Sequence, residues 1–510
     1  MDHLIGLDIG TQGTKAVVVR RDGRLLGSSY VGYEVEQPRP LWAEQWPNVW
    51  LDATYQAIRD VLERSSVSPS DVAGLGISSL YGGSGIPVNR DLQPLAPCLI
   101  WMDRRASAEV RWVQQHIDLD RLYRITGNTV DSYYGFTKIL WIKNHQPDVW
   151  EKVHLFLPPN AYVIYRLTGE VAIDHTSAGN LGGVYDIHQR TWSEEMAEAL
   201  GIPLRVLPQR LVASQDIVGR VTAEAARLTG LLEGTPVVAG GVDAPVATLS
   251  AGAFREGHHV AMVGTSMCWG FVTERSNLTP ALVSFPHAVD PLHKLYTFGG
   301  AATAGAVVRW FRDVLGRPEK EAAERLGVDA YSLLELESMK VPAGSEGLLV
   351  LPYFMGERSP IWDSNARGTI LGLSLYHTKA HLYKAFMEGV GFALRHNMES
   401  AQGQGLQLDQ EMTLVGGAAK SLVWPQIFAD ITGFPVRTVE QDVEAPLGDA
   451  LLAGLGTGVI DRPEALLDWL TYRKPVQPRD ELKPLYDRLF EEYKALYTSL
   501  KDNMARMYGA

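Results

Sequence analysis

A chain that begins Leu4-Ile-Gly-Leu-Asp-Ile-Gly-Thr-Gln-Gly-Thr-Lys-Ala-Val-Val-Val19 has few options for its first fifty residues. An apolar run leads to Asp8, then to a Gly/Thr-rich loop carrying Lys15, then to a second apolar run. Glycine tolerates backbone conformations in which successive N–H groups point into one concavity, and such a concavity suits a phosphate. The residues after the loop narrow the choice. A Walker A loop needs Gly-Lys-Ser/Thr and opens a helix. Here Lys15 comes after Thr14, and Val17, Val18 and Val19 come soon after it. Gly10 and Gly13 also lack the G-x-G-x-x-G spacing of a dinucleotide fold. Arg20-Arg-Asp-Gly-Arg24 reads as a hairpin turn and Leu25 to Val31 as a further strand.

Strand, phosphate loop, strand, turn, strand is the nucleotide-clamping start of the actin-like (ribonuclease H-like) α/β fold. At 510 residues the chain is too long for one compact core, so two large domains are expected. A formal net charge of -12 argues against a general nucleic-acid binder or a membrane-surface protein, since both need a basic face. It says nothing against a nucleotide substrate. Cys98 and Cys268 are the only cysteines, so neither a disulfide framework nor a Cys-based metal site is indicated. Met1-Asp2-His3 starts no basic segment leading into a long apolar stretch, and no run is long enough to span a bilayer. A cytoplasmic enzyme is the expectation.

Apolar spacing predicts helices over 48–65, 105–117, 137–146, 303–315, 319–326, 378–402, 420–432, 446–458 and 480–503, with a strand at 74–79. Thr235-Pro-Val-Val-Ala-Gly-Gly-Val-Asp-Ala-Pro245 reads as a strand entering a loop, followed by a small-residue helix. His259 to Thr273 reads as a hairpin with Gly264-Thr-Ser266 at its tip. Strand, Gly-rich loop and hairpin thus occur twice, near 4–31 and near 236–273. Two related α/β halves, 1–250 and 251–510, with a deep cleft between them are the economical explanation. No segment within 330–345 or 460–510 has an expected role beyond packing.

Asp8 closes an apolar strand, where a carboxylate is costly unless a cation meets it; a Mg2+ contact and a loop cap are both open. Thr11, Gln12, Thr14 and Lys15 offer donors to phosphate oxygens. Asp243 also follows an apolar strand. Alone it reads as a helix cap; beside the first loop it reads as a general base for phosphoryl transfer to an alcohol. Gly264-Thr-Ser266 and Gly416-Gly-Ala-Ala-Lys-Ser421 are further phosphate or nucleoside loops, or ordinary tight turns. Trp101-Met-Asp-Arg-Arg105 offers a sugar an aromatic face and a carboxylate, or is a helix start with Asp103 as its cap.

As an ordered set, Asp8 to Lys15, Trp101-x-Asp-x-Arg105, Lys138-Ile-Leu-Trp141, Gly240-Gly-Val-Asp243, Gly264-Thr-Ser266, Pro352-Tyr-Phe-Met-Gly-Glu-Arg-Ser-Pro360 and Gly416-Gly-Ala418 resemble the FGGY carbohydrate kinases over roughly 3 to 460. Pro40-Leu-Trp-Ala-Glu-Gln45 and Leu157-Pro-Pro-Asn-Ala-Tyr162 are similar to the family's xylulokinase branch. Gly305-Ala-Val-Val-Arg-Trp-Phe-Arg-Asp313 is similar to its gluconate kinase branch. The resemblance implies ATP and Mg2+ as cofactors, a small sugar as substrate, ADP as product and a homodimer. It implies Asp243 as the catalytic base, with Asp8 and Asp243 near Mg2+ and the sugar. Thr11, Gln12, Thr14 and Lys15 would form the first phosphate loop, and Gly264 and Thr265 the second. Gly305, Gly417 and Ser421 would line the nucleotide. Ser79, Leu80, Tyr81, Trp101, Asp103 and Tyr133 fall at sugar-contacting positions.

The chain departs from the xylulokinase pattern in two places and from the family signature in a third. Leu80-Tyr81 stands for Met-His, Ala244-Pro245 for the Asp-Asn after the base, and Gly135 for Pro, Ser or Thr. The expectation is phosphorylation of a terminal hydroxyl of D-xylulose by in-line transfer. The same chemistry on gluconate, L-ribulose or another polyol is the nearest rival. An actin-like ATPase switch acting on a partner protein is the rival from another class.

Overall fold

The computed structural model describes residues 1–276, 279–441 and 444–508. They form two compact α/β units. The first comprises Met1–Glu256, Val272–Thr297 and Val443–Leu470; the second comprises Gly257–Phe271, Phe298–Asp442 and Thr471–Ala510.

The first unit is built on a mixed sheet. Its order runs Ile217–Arg220, Pro236–Val238, Val72–Ser79, His3–Ile9, Gly13–Arg20, Leu25–Gly32, with Gly241–Val242 also on Val72–Ser79. His3–Ile9 pairs antiparallel with Gly13–Arg20 and parallel with Val72–Ser79. A strand between two others, covered on both faces, must be apolar nearly throughout. Leu4, Ile5, Leu7 and Ile9 are accordingly fully buried, as are Leu75 and Ile77. Helix Pro47–Ser65 packs against Gly13–Arg20 and Leu25–Gly32, burying Trp50, Ala57, Ile58 and Val61. Helix Ala445–Thr457, remote in sequence, packs against the two central strands. That approach needs glycine in the sheet: a Cβ on Gly6 would lie 1.7 Å from the Pro446 carbonyl oxygen, and one on Gly76 2.2 Å from that of Asp449.

The second unit repeats the motif. His259–Val263 pairs antiparallel with Met267–Thr273 and parallel with Met412–Gly416, which pairs with Val436–Thr438. Helix Trp424–Thr432 packs against Val436–Thr438, and helices Lys379–Gln402 and Lys483–Tyr508 pack against that helix and against the separate strand Leu349–Leu351. The repeat therefore differs from the expectation at one end. Pro236–Val238 is not part of the second copy but a strand of the first sheet, parallel to Val72–Ser79. The second copy begins at His259, because parallel pairing is decided by distant partners rather than by local sequence. Most predicted helices fall within a few residues of those observed. The span 420–432 instead divides into a 3-10 turn, Gly417–Lys420, and helix Trp424–Thr432.

Candidate active site

Strand register brings the two aspartates together. Asp8 lies opposite Ser78, Ser78 lies opposite Gly241, and Asp243 follows two residues later. Both carboxylates thus stand at the same end of one sheet. Asp243 is the first residue of helix Asp243–Ser250 and accepts a hydrogen bond from the Ala244 N–H at 2.7 Å; the capping position is Val242. The loop before it is pinned by a buried network. The Val242 N–H donates to Thr176 Oγ1 at 2.9 Å, Thr176 donates to Asp174, and Asn160 Nδ2 donates to Asp174 at 3.0 Å. Asn160 is in turn hydrogen-bonded to Ser79. Asn160, Asp174 and Thr176 were not candidates from sequence; the Pro-Pro-Asn segment was the only signal.

A third carboxylate lies beneath. The Ser78 hydroxyl reaches Asp449 at 2.6 Å and Asp8 at 3.2 Å. Asp449 is fully buried and its Oδ1 has no hydrogen-bond partner among the described residues. Burial raises all three carboxyls above their ordinary range: Asp243 to about 6, Asp8 to about 7 with the Asp243 charge as the next cause, and Asp449 well above. Two carboxylates that resist joint ionisation are an all-oxygen donor set, which fits a hard cation such as Mg2+. Among the described residues no group of three or more His, Cys, Asp or Glu is arranged to hold a metal.

The first loop is a tight turn, with the Gly10 N–H on the Gly13 carbonyl at 2.9 Å. Thr14 is fully buried against the Tyr33 hydroxyl, which also donates to the Gly10 carbonyl at 2.7 Å. Gln12 is exposed, and Lys15 pairs with Glu444. Thr11 Oγ1 accepts the Trp101 indole N–H at 3.1 Å, tying the Trp101 segment to this loop.

Ser79, Leu80 and Tyr81 are buried. The Tyr81 hydroxyl accepts the Gly135 N–H at 2.5 Å, and its ring lies 4.6 Å from that of Tyr133. Asp103 is fully buried: Oδ1 accepts the Arg105 N–H, and Oδ2 accepts the Ala43 N–H at 2.7 Å and Arg105 Nε at 2.8 Å. Arg105 also pairs with Glu44 and stacks over Trp42 at 3.8 Å. Asp103 therefore caps no helix. Arg104 pairs with Asp131 at 2.5 Å. Lys138, buried and lowered by that burial to about 7, donates to the carbonyls of Ser132 and Tyr133, fixing the segment that carries Tyr133.

The second unit carries an open cavity of about 550 Å³. Gly264, Thr265, Gly305, Gly417 and Ser421 all line it. Gly305 is there because its N–H must reach the Gly264 carbonyl at 2.9 Å; a Cβ would lie 2.4 Å from that oxygen. A Cβ on Gly264 would meet nothing within 4 Å. Ser421 Oγ accepts the N–H groups of Val423 and Trp424, opening helix Trp424–Thr432. The far wall was missed from sequence. It is helix Ala330–Ser338 with Asp329 as its cap, presenting Tyr331, Ser332 and Glu335, together with Tyr383 and Trp424. Glu335 accepts the Leu422 N–H at 3.0 Å, joining helix to loop. A cavity that sets apolar and aromatic side chains beside a few polar groups, among them Thr265, Ser332 and Ser421, has the character of a small-molecule site. No helix of the described residues is long and apolar enough to cross a membrane.

Comparison with known proteins identifies the family. The chain is 30% identical over 506 residues to a xylulose kinase of Bacillus subtilis, covering 98% of each chain. It is 29% identical over 513 residues to a gluconokinase of the same organism, again covering 98% of each. Its fold matches the crystal structure of a xylulose kinase from Rhodospirillum rubrum with a TM-score of 0.87 and 29% identity, over 98% of this chain and 99% of the other. The N-terminal domain model of the FGGY carbohydrate kinases matches residues 3–250 and the C-terminal domain model residues 259–457. Two actin-like α/β units carrying these loops, matched by both models over most of their length, belong to the FGGY family of carbohydrate kinases, and the chain is an ATP-dependent sugar phosphotransferase.

Proposed function

We propose that the protein phosphorylates a terminal hydroxyl of D-xylulose. The observation that carries this reading is the pair Asp8 and Asp243 at one end of one sheet, beside the Tyr81 and Tyr133 segments. Asp243, buried and raised to about 6, is poised as the base that takes the hydroxyl proton near neutral pH. Asp8 orients the acceptor and, with Asp243, would hold Mg2+. When bound, that ion supplies charge neutralisation for the β- and γ-phosphates. Gly264 and Thr265 hold the nucleotide phosphates, while Gly305, Gly417 and Ser421 line its nucleoside. Thr11, Gln12, Thr14 and Lys15 form the other phosphate loop; Gln12 is its exposed member. Transfer runs in line from the γ-phosphate to the deprotonated oxygen. Trp101, Asp103 and Leu80 shape the sugar side, and Asp103 does so through Arg105 and the Ala43 N–H.

A neutral sugar is favoured over gluconate by the state of the cations. An acid sugar wants a guanidinium, yet Arg104 is engaged by Asp131 and Arg105 by Asp103 and Glu44. The sequence likeness to xylulose kinases supports the same choice. ADP release should be measured over D-xylulose, L-ribulose, gluconate, glycerol and hexuloses, with a no-sugar control. Selective turnover of D-xylulose is expected. Selective turnover of gluconate or another polyol would overturn the substrate and keep the kinase.

A further inference from the structure

The segment Pro352–Pro360 lines neither the aspartate site nor the nucleotide cavity, yet three of its consecutive side chains grip one stretch of backbone. Glu357 Oε1 accepts the Ala302 N–H at 2.7 Å and the Arg358 N–H at 2.8 Å. Arg358 Nη2 donates to the carbonyls of Ala301 and Met267 at 3.2 and 3.3 Å. Ser359 Oγ accepts the Gly300 N–H at 2.6 Å. Residues 300 and 301 end the strand Leu295–Ala301, residue 302 follows it, and Met267 opens the strand after the Gly264–Ser266 turn. From there the backbone runs straight to the phosphate side of the cavity. The Ala304 and Ala306 N–H groups donate to the Thr265 carbonyl at 3.0 Å, and the Gly305 N–H to that of Gly264.

We propose that Glu357, Arg358 and Ser359 are positioning residues for the nucleotide phosphates, acting as a clasp that fixes the Gly264–Thr265 turn through residues 300–305. The proposal rests on reading the second unit's cavity as the nucleotide pocket. Glu357 is buried and its Oε2 has no hydrogen-bond partner among the described residues, so its carboxylate sits in an unfavourable setting that is offset by the Ala302 and Arg358 N–H groups and by the Arg358 charge. A side chain kept merely to fill space would be apolar there. Removing its oxygens leaves the Ala302 N–H buried and unpaired, and the turn that depends on residues 302–305 loses its fixed geometry.

The test compares Glu357→Ala, Glu357→Gln and Ser359→Ala in the full chain. ADP affinity is read by calorimetry, and KM for ATP and for sugar by initial rates. Glu357→Gln keeps an oxygen acceptor for the Ala302 N–H, so its ADP affinity should stay within about threefold of the wild type. Glu357→Ala should weaken ADP and raise the KM for ATP by about tenfold or more, with the sugar KM unchanged. Ser359→Ala, a milder change, should weaken ADP by a few-fold and serves if Glu357→Ala does not fold. Amide exchange at Gly264–Ser266 should quicken in the weakened variants. Unaltered ADP affinity in both Glu357→Ala and Ser359→Ala would overturn the clasp while the wild type still binds ADP. Parallel loss of sugar and nucleotide affinity would also overturn it, since that is general destabilisation. A wild type that binds no adenine nucleotide would sink the pocket reading, and the clasp with it.

Discussion

Replacing Asp243 with Asn keeps the side chain's shape and its acceptor for the Ala244 N–H, and removes only the base. A positioned general base contributes about 10²- to 10⁴-fold, so kcat should fall by that factor, or about 3–5 kcal/mol of barrier. The pH dependence gives the sharper figure. With the carboxyl at about 6, the wild type is almost fully ionised at pH 7.5, and only about a tenth of it is ionised at pH 5. Wild-type kcat should therefore fall about tenfold over that interval, and a variant without the base cannot lose what it lacks. Asp8 also titrates in this range, at about 7, and burial and the Asp243 charge both hold it up. Removing that charge lowers Asp8, so any remaining acid limb moves to lower pH. The ratio of wild type to variant should thus narrow by about tenfold between pH 7.5 and 5. The assay is direct ADP release at saturating sugar and ATP from pH 5 to 9, with calorimetric ADP affinity as the folding control. A variant retaining more than a tenth of wild-type kcat, or one whose acid limb superimposes on the wild type's, would refute the assignment.

Three other outcomes test separate parts of the structure. Gly305→Ala drives a Cβ to 2.4 Å from the Gly264 carbonyl oxygen; overpacking of that kind costs about 1–3 kcal/mol, and ADP affinity measured by calorimetry should drop about tenfold or more. Asp449→Asn removes a buried carboxyl whose folded-state pKa stands above its unfolded value. Such a group costs stability increasingly as pH rises, so in denaturant titrations the variant should gain on the wild type from pH 5 to pH 8; a gain in the opposite direction would contradict the burial of Asp449. Tyr81→Phe strands the buried Gly135 N–H. It should lower unfolding free energy by about 1–3 kcal/mol and raise the sugar KM while leaving ADP affinity alone, as checked by denaturation and initial-rate kinetics.

The features legible in the sequence were local. The hairpins at 3–20 and 259–273 announce themselves through apolar runs interrupted by Gly, Thr and Asp, because the turn residues and the strand period are both short-range signals. The same holds for Asp8 and Asp243, each a carboxylate at the end of an apolar strand, where a cation, a proton or a backbone N–H must offset its burial. Pairing across distance could not be read in this way. Val237 joins Leu75 in the first sheet although its neighbours in sequence resemble a second copy of the opening motif. Helix Ala330–Ser338 carries no motif in its sequence; Tyr331 and Glu335 matter because the helix is docked beside Leu422 and the glycine turns.

Asp449 shows how a local signal can be present and still not be interpretable. It stands alone among small and apolar residues in Ala445–Thr457, the kind of position where a buried charge is expensive. From the sequence the simplest account is that it faces solvent, since most aspartates on helices do. The fold gives the opposite answer. Gly6 and Gly76 let the helix backbone close onto the central strands, and the approach leaves Asp449 no exit except the Ser78 hydroxyl. The absence of two Cβ atoms, seventy residues apart, thus decides the environment of a carboxyl almost four hundred residues further on. Through Ser78 that environment reaches Asp8. The glycines and the aspartate are separate signals along the chain; only the packing of helix on sheet makes them one feature.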